Sequence, residues 1–392
     1  MVEFMACPPQ YARLCAEGWD TVQEAIRLKP SHEFCNQLEA AKQAAMAVRD
    51  DLSGIVPFML GREPLYMHAT GAKGGFRWRL SGPDYLLMIG SPKREWTISI
   101  RYLSAGLWSH GWEEIRARIF AGLDAYTTCD EPGDAVRVSR ADWCFDFHAP
   151  DFSKEFVPGL AANVVAHAGV KSCERGGGKP CQYELWQRAG FGETLTIGSK
   201  DSLQVQLYDK TKEITDVSGK EWLYDVWKRN LGTDPWGWDK PRDVWRLELR
   251  WAGDYLKERN LRRPGEISAA LPMLIAESVV KRRLTVPVRD DSNRSRWPLH
   301  PLWSEAFRRA GANRMVPFGR LVTGRRSALL QRARAQIAGS LRACVVLDQG
   351  TFDVGSLETL WTDVNTILAN DPKHGKKLEA AQDRYSRVEA AR

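Results

Sequence analysis

The chain has no C-x-x-C pair: Cys7, Cys15, Cys35, Cys129, Cys144, Cys173, Cys181 and Cys344 are scattered along it. That argues against zinc ribbons and leaves reduced cytoplasmic thiols as the expectation. Its seven histidines (His32, His68, His110, His148, His167, His300, His374) never stand two apart, so a His-x-His metal pair is absent. No apolar run approaches the roughly 18–20 residues that a membrane span needs. The first residues also lack the basic-then-apolar layout of a secretory signal. The expectation is therefore a cytoplasmic protein with no membrane partner.

What the chain does have is size, positive charge and tryptophan. Its 392 residues can hold two or three domains. A hydrophobic share of 43% with 27% charged residues describes a folded chain rather than a disordered one. The net charge of +7 suits a polyanionic partner. Most of the 16 tryptophans belong in a core, although such rings also stack on unpaired bases.

Apolar spacing of three and four predicts helices over residues 21–28 and 32–52, as a helical hairpin or a helix-turn-helix. Short β-rich runs follow at 64–70, 75–80, 85–89 and 96–103, then an amphipathic helix over 110–126. Strands are expected at 136–147, 183–188, 193–198, 203–209 and 244–251, and helices at 151–168 and 221–231. Beyond residue 265 the pattern is helical, over 266–281, 301–310, 320–347, 353–370 and 375–392. The order predicts an α+β fold: a central, mostly antiparallel sheet with helices on one face, a helical C-terminal region and short N-terminal helices. The expected divisions are 1–52 (N-terminal helical segment), 53–260 (catalytic domain) and 261–392 (helical region). Within the last, residues 301–342 carry nine arginines, including Arg325 and Arg326, against one acid, Glu305. Such a block can neutralise several phosphates or simply form a solvated helix face.

Three strands concentrate chemical groups. In Arg140-Ala141-Asp142-Trp143-Cys144-Phe145-Asp146-Phe147, alternation sets Asp142, Cys144 and Asp146 opposite the aromatics. The two carboxylates lie about 13 Å apart on a straight strand, so either would need an acid from a neighbouring strand to share a cation. A solvated outer face is the plain alternative. In Gln204–Lys210, Tyr208 shares a face with Gln204, Gln206 and Lys210, a setting in which a tyrosine is exposed and a nearby cation favours its phenolate. In Val244–Trp251, Glu248 sits between Arg246 and Arg250, as a metal ligand beside phosphate clamps or as a salt-bridge row. Together the three polar faces carry an inventory suited to metal-assisted phosphoryl transfer by a tyrosine.

The segments 138–147 (VSRADWCFDF), 193–213 (ETLTIGSKDSLQVQLYDKTKE) and 244–250 (VWRLELR) occur in an order and spacing that resemble the Rep-trans type rolling-circle replication initiators. These belong to small Gram-positive plasmids and are related to relaxases of integrative elements and initiators of filamentous phages. The stretch 289–303 also resembles the relaxase branch, and the likeness covers about residues 55–305. It implies a catalytic Tyr208 supported by Lys210, and Mg²⁺ or Mn²⁺ held by Asp142, Glu248 and Asp146. One departure is Gln206, where the plasmid initiators usually carry arginine. Arg246 or Arg250 is then the expected substitute at the scissile phosphate, and Arg140, Lys200, Arg250, Arg325 and Arg326 are expected to meet nucleic acid.

The function expected from this is single-strand nicking and rejoining of origin DNA through a 5′-phosphotyrosine, initiating rolling-circle replication or conjugative transfer. The implied partners are a melted or single-stranded origin, a host helicase and polymerase, and a second copy of the chain. Two alternatives are a hydrolytic metal-dependent nuclease and an origin-binding protein with an inactive site. Tyr255, Tyr183 and Tyr385 are the lesser candidates for nucleophile.

Overall fold

In the computed structural model, the described residues are 11–48, 54–128, 135–152, 160, 163–166, 183–188, 191–232, 234–237, 239–311 and 354–370. The chain divides into two compact units, one of Met1–Lys220 with Val226–Gly319, the other of Glu221–Asp225 with Arg320–Arg392. The first unit is built on one antiparallel sheet. Its strands are β1 (Arg13–Ile26), β3 (Ile55–Leu60), β4 (Glu63–His68), β5 (Phe76–Ser81), β6 (Tyr85–Gly90), β7 (Ile98–Leu103), β9 (Val136–His148), β11 (Tyr183–Arg188), β12 (Phe191–Gly198), β13 (Leu203–Asp209) and β14 (Val244–Ala252). Short pairs β2 (Lys29–Pro30) with β8 (Thr127–Thr128), and β10 (Val164–Ala166) with β15 (Arg282–Leu284), lie outside it. The strand order is β11-β12-β13-β14-β9-β1-β7-β6-β5-β4-β3. This is the expected α+β architecture.

The sheet's two faces differ in what covers them. One carries Trp19, Trp143 and Trp251 in edge-to-face contact, with Trp112 of helix Trp112–Asp124 against Trp19. Helix Pro264–Lys281 joins the same layer through Ser278, whose hydroxyl accepts from Trp251 Nε1 at 2.8 Å. Helix Pro301–Ala310 joins through the pair of Arg309 with Glu17. Helix His32–Ala47 covers the far half, where Glu39 accepts from Trp78 Nε1 at 3.0 Å. Alternate residues of β6 and β7 (Tyr85, Leu87, Ile89, Ile98, Ile100, Tyr102) are buried beneath these helices, while their neighbours are mostly half-buried on the other face.

Helix Pro264–Lys281 is tied by Glu277, which accepts from Arg259 at 2.7 and 2.6 Å and also pairs with Lys281. The Arg259 hydrogen bonds outweigh burial and lower its pKa to about 2. A carboxylate depressed in this way stabilises the fold above its unfolded value near 4.3, and that contribution fades as acid approaches the folded value. Glu277→Gln is expected to cost roughly 1–3 kcal/mol at neutral pH after allowance for solvent screening. Urea unfolding should show a smaller difference between the two proteins at pH 3 than at pH 7.

Two sequence expectations are corrected here. Residues 13–26 are not helical; they form β1, paired to β7 and β9 at the centre of the sheet. A helix-turn-helix that begins at residue 21 is therefore ruled out, and among the described residues of 21–52 only His32–Ala47 is helical. The end of the expected 151–168 helix is instead β10, paired with β15. The expected helices at 320–347 and 375–392 lie outside the described residues, and of the basic 301–342 stretch only 301–311 is described. In the second unit, helix Val354–Asn370 exposes Trp361 and Ile367. Among the described residues, no helix is long and apolar enough to cross a membrane.

Candidate active site

The face opposite the tryptophans carries the polar groups of β9, β14 and β13 in register. Asp146 stands opposite Arg246 and Arg246 opposite Tyr208. Glu248 lies between Cys144 and Gln206, and Arg250 between Asp142 and Gln204. The solvated-face alternative does not hold, because Asp142, Asp146, Arg246 and Glu248 are all buried.

Arg246 forms the closed end of the cluster. Its Nε and Nη2 donate to the two oxygens of Asp146 at 2.6 and 2.8 Å. Its Nη1 donates to Asp20 Oδ1 at 2.6 Å. Trp227 of helix Trp222–Leu231 adds a donor to Asp146 Oδ2 at 2.9 Å. Burial alone would raise the Asp20 pKa, but Arg246, then Lys220 and Lys210, hold it well below the usual carboxylate range. With Nε, Nη1 and Nη2 each bonded to a carboxylate and its side chain 1% exposed, Arg246 braces the closed end of the cluster.

Tyr208 is part-buried, and its hydroxyl donates to Glu248 Oε2 at 2.9 Å. Arg250 donates from Nε to the other oxygen of Glu248 at 2.8 Å and from Nη1 to Gln204 at 3.3 Å. Burial, and next the charge of Glu248, push the Tyr208 pKa well above that of an ordinary tyrosine. The expectation of an exposed tyrosine is thus corrected: Tyr208 is part-buried, and its hydroxyl faces a carboxylate.

Lys210 does not continue the face of β13. Asp209 ends the strand and caps a helical turn, Lys210–Glu213, accepting from the Lys212 backbone N–H at 3.0 Å. Lys210 is buried, paired with Glu213, and its Nζ sits 5.7 Å from the Tyr208 ring centroid. Burial and the charge of Arg246 lower its pKa. The β12–β13 hairpin behind this arrangement depends on Gly198, at φ +92°, where a Cβ would lie 2.3 Å from the Leu203 carbonyl oxygen.

Asp142 accepts a forked pair from Arg140, at 2.9 Å from Nε and 2.5 Å from Nη2. Burial raises its pKa to about 7, and the charge of Glu248 adds to the rise against the opposing pull of Arg140. Among the described residues, no group of three His, Cys, Asp or Glu side chains is placed to hold one metal ion. The expected trio is therefore not assembled: both oxygens of Asp146 are engaged by Arg246. Asp142 and Glu248 remain as two neighbouring carboxylates of the kind that binds a hard divalent cation, each held here by a guanidinium, from Arg140 and Arg250.

The other expected residues fall elsewhere or are not described. Lys200 is exposed in the β12–β13 turn. Arg325, Arg326 and Tyr385 lie outside the described residues. Tyr255 is buried in helix Gly253–Lys257 against the Arg259 guanidinium, 3.4 Å from its ring centroid. Tyr183 begins β11 at the sheet edge, opposite Ile197. Asp20 and Trp227 had no place in the expected site. Asp20 is the extra residue of a β-bulge between the pairs Trp19–Trp143 and Thr21–Asp142, a device that re-aims a side chain.

No family model matches the chain. No curated protein is similar to it in sequence. Among solved structures, the rolling circle replication initiator protein from Geobacillus stearothermophilus matches with a TM-score of 0.38 and 13% identity, over 77% of this chain and 98% of that one.

Proposed function

We propose that the protein is a DNA strand transferase that nicks one strand of a replication or transfer origin with Tyr208 and stays attached to the new end. The observation that carries the reading is the 2.9 Å hydrogen bond from the Tyr208 hydroxyl to Glu248, beside a buried ion-pair brace. It pairs a nucleophile with a base at hydrogen-bond distance.

In the reaction, Glu248 takes the phenolic proton as Tyr208 Oη bonds to phosphorus. The bond from phosphorus to the 3′ oxygen breaks, and that oxygen leaves as a hydroxyl with a proton from solvent. The product is a 5′-phosphotyrosine and a 3′-OH that can prime synthesis. The ester retains the bond energy, so rejoining needs no nucleotide. Arg140 and Arg250, partly exposed at the open side of the cluster, are the guanidiniums nearest an approaching phosphate. Asp142 and Glu248 would hold Mg²⁺ or Mn²⁺ in place of their bonds to Arg140 and Arg250, and the ion would neutralise charge developing on the phosphate.

The test uses a labelled pool of random single-stranded DNA with Mn²⁺ present. The expected result is a covalent protein–DNA band on a denaturing gel, with the nucleotide-bearing peptide containing Tyr208 by mass spectrometry. Cut DNA with no attached protein would overturn the reading in favour of a hydrolytic nuclease.

A further inference from the structure

The polar face does not end at the catalytic cluster but continues across β1 to the far half of the sheet. Arg140, Gln23, Arg101, Leu86 and Ser81 stand opposite one another on one cross-sheet row. The next row is Arg137, Ala25, Ser99, Met88 and Arg79. Arg79, Arg101, Leu86, Met88 and Tyr66 are all half-buried on this side, whereas their strand neighbours are fully buried beneath the helices.

The charge of this surface has one sign. Strands β3 to β7 contribute no carboxylate to it: Glu63 of β4 faces the other way and meets Arg118 of helix Trp112–Asp124. Among the described residues, neither Arg79 nor Arg101 has an ion pair. The contrast with the cluster is sharp, because Arg140, Arg246 and Arg250 are each neutralised by an acid. Two unneutralised guanidiniums on a half-buried sheet face are an electrostatic complement to phosphate.

The geometry also favours one form of polyanion. Arg101 lies two strands from Arg140, about 10 Å, and Arg79 two strands further and two residues along, about 12 Å. The track thus runs about 20 Å from Arg140 to Arg79, enough for several nucleotides of an extended strand. Leu86, Met88 and Tyr66 lie among the arginines and present apolar surface to unstacked bases. A paired duplex hides its base faces and gains nothing from them.

We infer that the open face of β4 to β7, centred on Arg79 and Arg101, is a platform that binds single-stranded DNA leading to Tyr208. The inference rests on the nicking reading for its biological sense but not for its test. The whole chain is titrated into a fluorescein-labelled oligothymidylate of about 20 nucleotides, without divalent ions, and followed by anisotropy at about 50 to 200 mM salt. R79Q combined with R101Q is expected to weaken binding by about 10- to 50-fold and to lower the salt slope by about 1.4, two phosphates at roughly 0.7 each. R79K combined with R101K should restore most of the affinity, and all variants should melt with the wild type.

No measurable binding by the wild type, or an affinity and slope unchanged in the glutamine variant, would overturn the platform. So would a paired duplex that competes as well as the single strand and is weakened equally by the variant. The two readings fail separately. Weakened binding without any covalent adduct in the wild type sinks the nicking reading and leaves the platform. An adduct together with unweakened binding does the reverse.

Discussion

Tyr208→Phe is expected to abolish covalent capture of DNA while leaving single-strand affinity within about twofold of the wild type. The substitution removes one oxygen, and Arg250 still holds the other oxygen of Glu248, so the cluster keeps its charge balance. Glu248→Gln tests the partner. A phenol with a pKa near 10 is ionised at about one part in a thousand at pH 7, and Tyr208 is pushed higher still by burial and by Glu248. Attack at neutral pH therefore needs a base at the moment of bond formation. Loss of that base should lower the single-turnover rate by about 10²- to 10⁴-fold. The residual rate of Glu248→Gln should then climb about tenfold per pH unit, because only phenolate can attack. An adduct that persists in Tyr208→Phe would assign the nucleophile elsewhere. A Glu248→Gln rate equal to wild type would remove Glu248 from the proton transfer.

The faces of β13, β14 and the 140–147 part of β9 were legible in the sequence because these stretches keep a period of two without a bulge. Alternation alone grouped Asp142 with Asp146, Gln206 with Tyr208, and Arg246 with Glu248 and Arg250, and the sheet brings the three sets together. Alternation cannot say whether a polar face meets water. Asp142 and Asp146 read as a solvated row or a metal site, and Glu248 as a metal ligand or part of a salt-bridge row; the burial of all three is a property of the packed sheet. Lys210 marks a different limit. A period of two assigns it to the Tyr208 face only if the strand continues, and the Asp209 cap ends the strand one residue earlier.

The misreading of β1 has a specific cause. Bulges at Cys15 and Asp20 each insert an extra residue, so its inward side chains fall at Trp19, Val22, Glu24 and Ile26. Within the expected helix 21–28, Val22, Ala25 and Ile26 stand three and four residues apart, and the charged Glu24 on the inward face hides the strand's period of two. The bulge at Asp20, just before this stretch, carries that carboxylate to Arg246.

Arg246→Met should be the most destabilising single change in the cluster, at about 3–5 kcal/mol by urea unfolding at neutral pH. Methionine roughly fills the space but leaves Asp146 and Asp20 without the guanidinium that both face, and Trp227 supplies Asp146 with only one remaining hydrogen bond. The cost is that of buried charge without a partner, so neutralising a carboxylate should recover part of it. Arg246→Met combined with Asp146→Asn is expected to be less destabilised than the sum of the two single changes. Asp20→Asn alone should cost less than Asp146→Asn, because Asp20 retains partial exposure while Asp146 has none. The acid dependence has a defined sign: Asp20 is held below the usual carboxylate range, so its contribution is present above its unfolded pKa of about 4 and is lost only as acid titrates the folded group. Arg246→Met stability within about 1 kcal/mol of wild type would mean that the brace carries no net weight. An additive double variant would mean that Arg246 and Asp146 act independently.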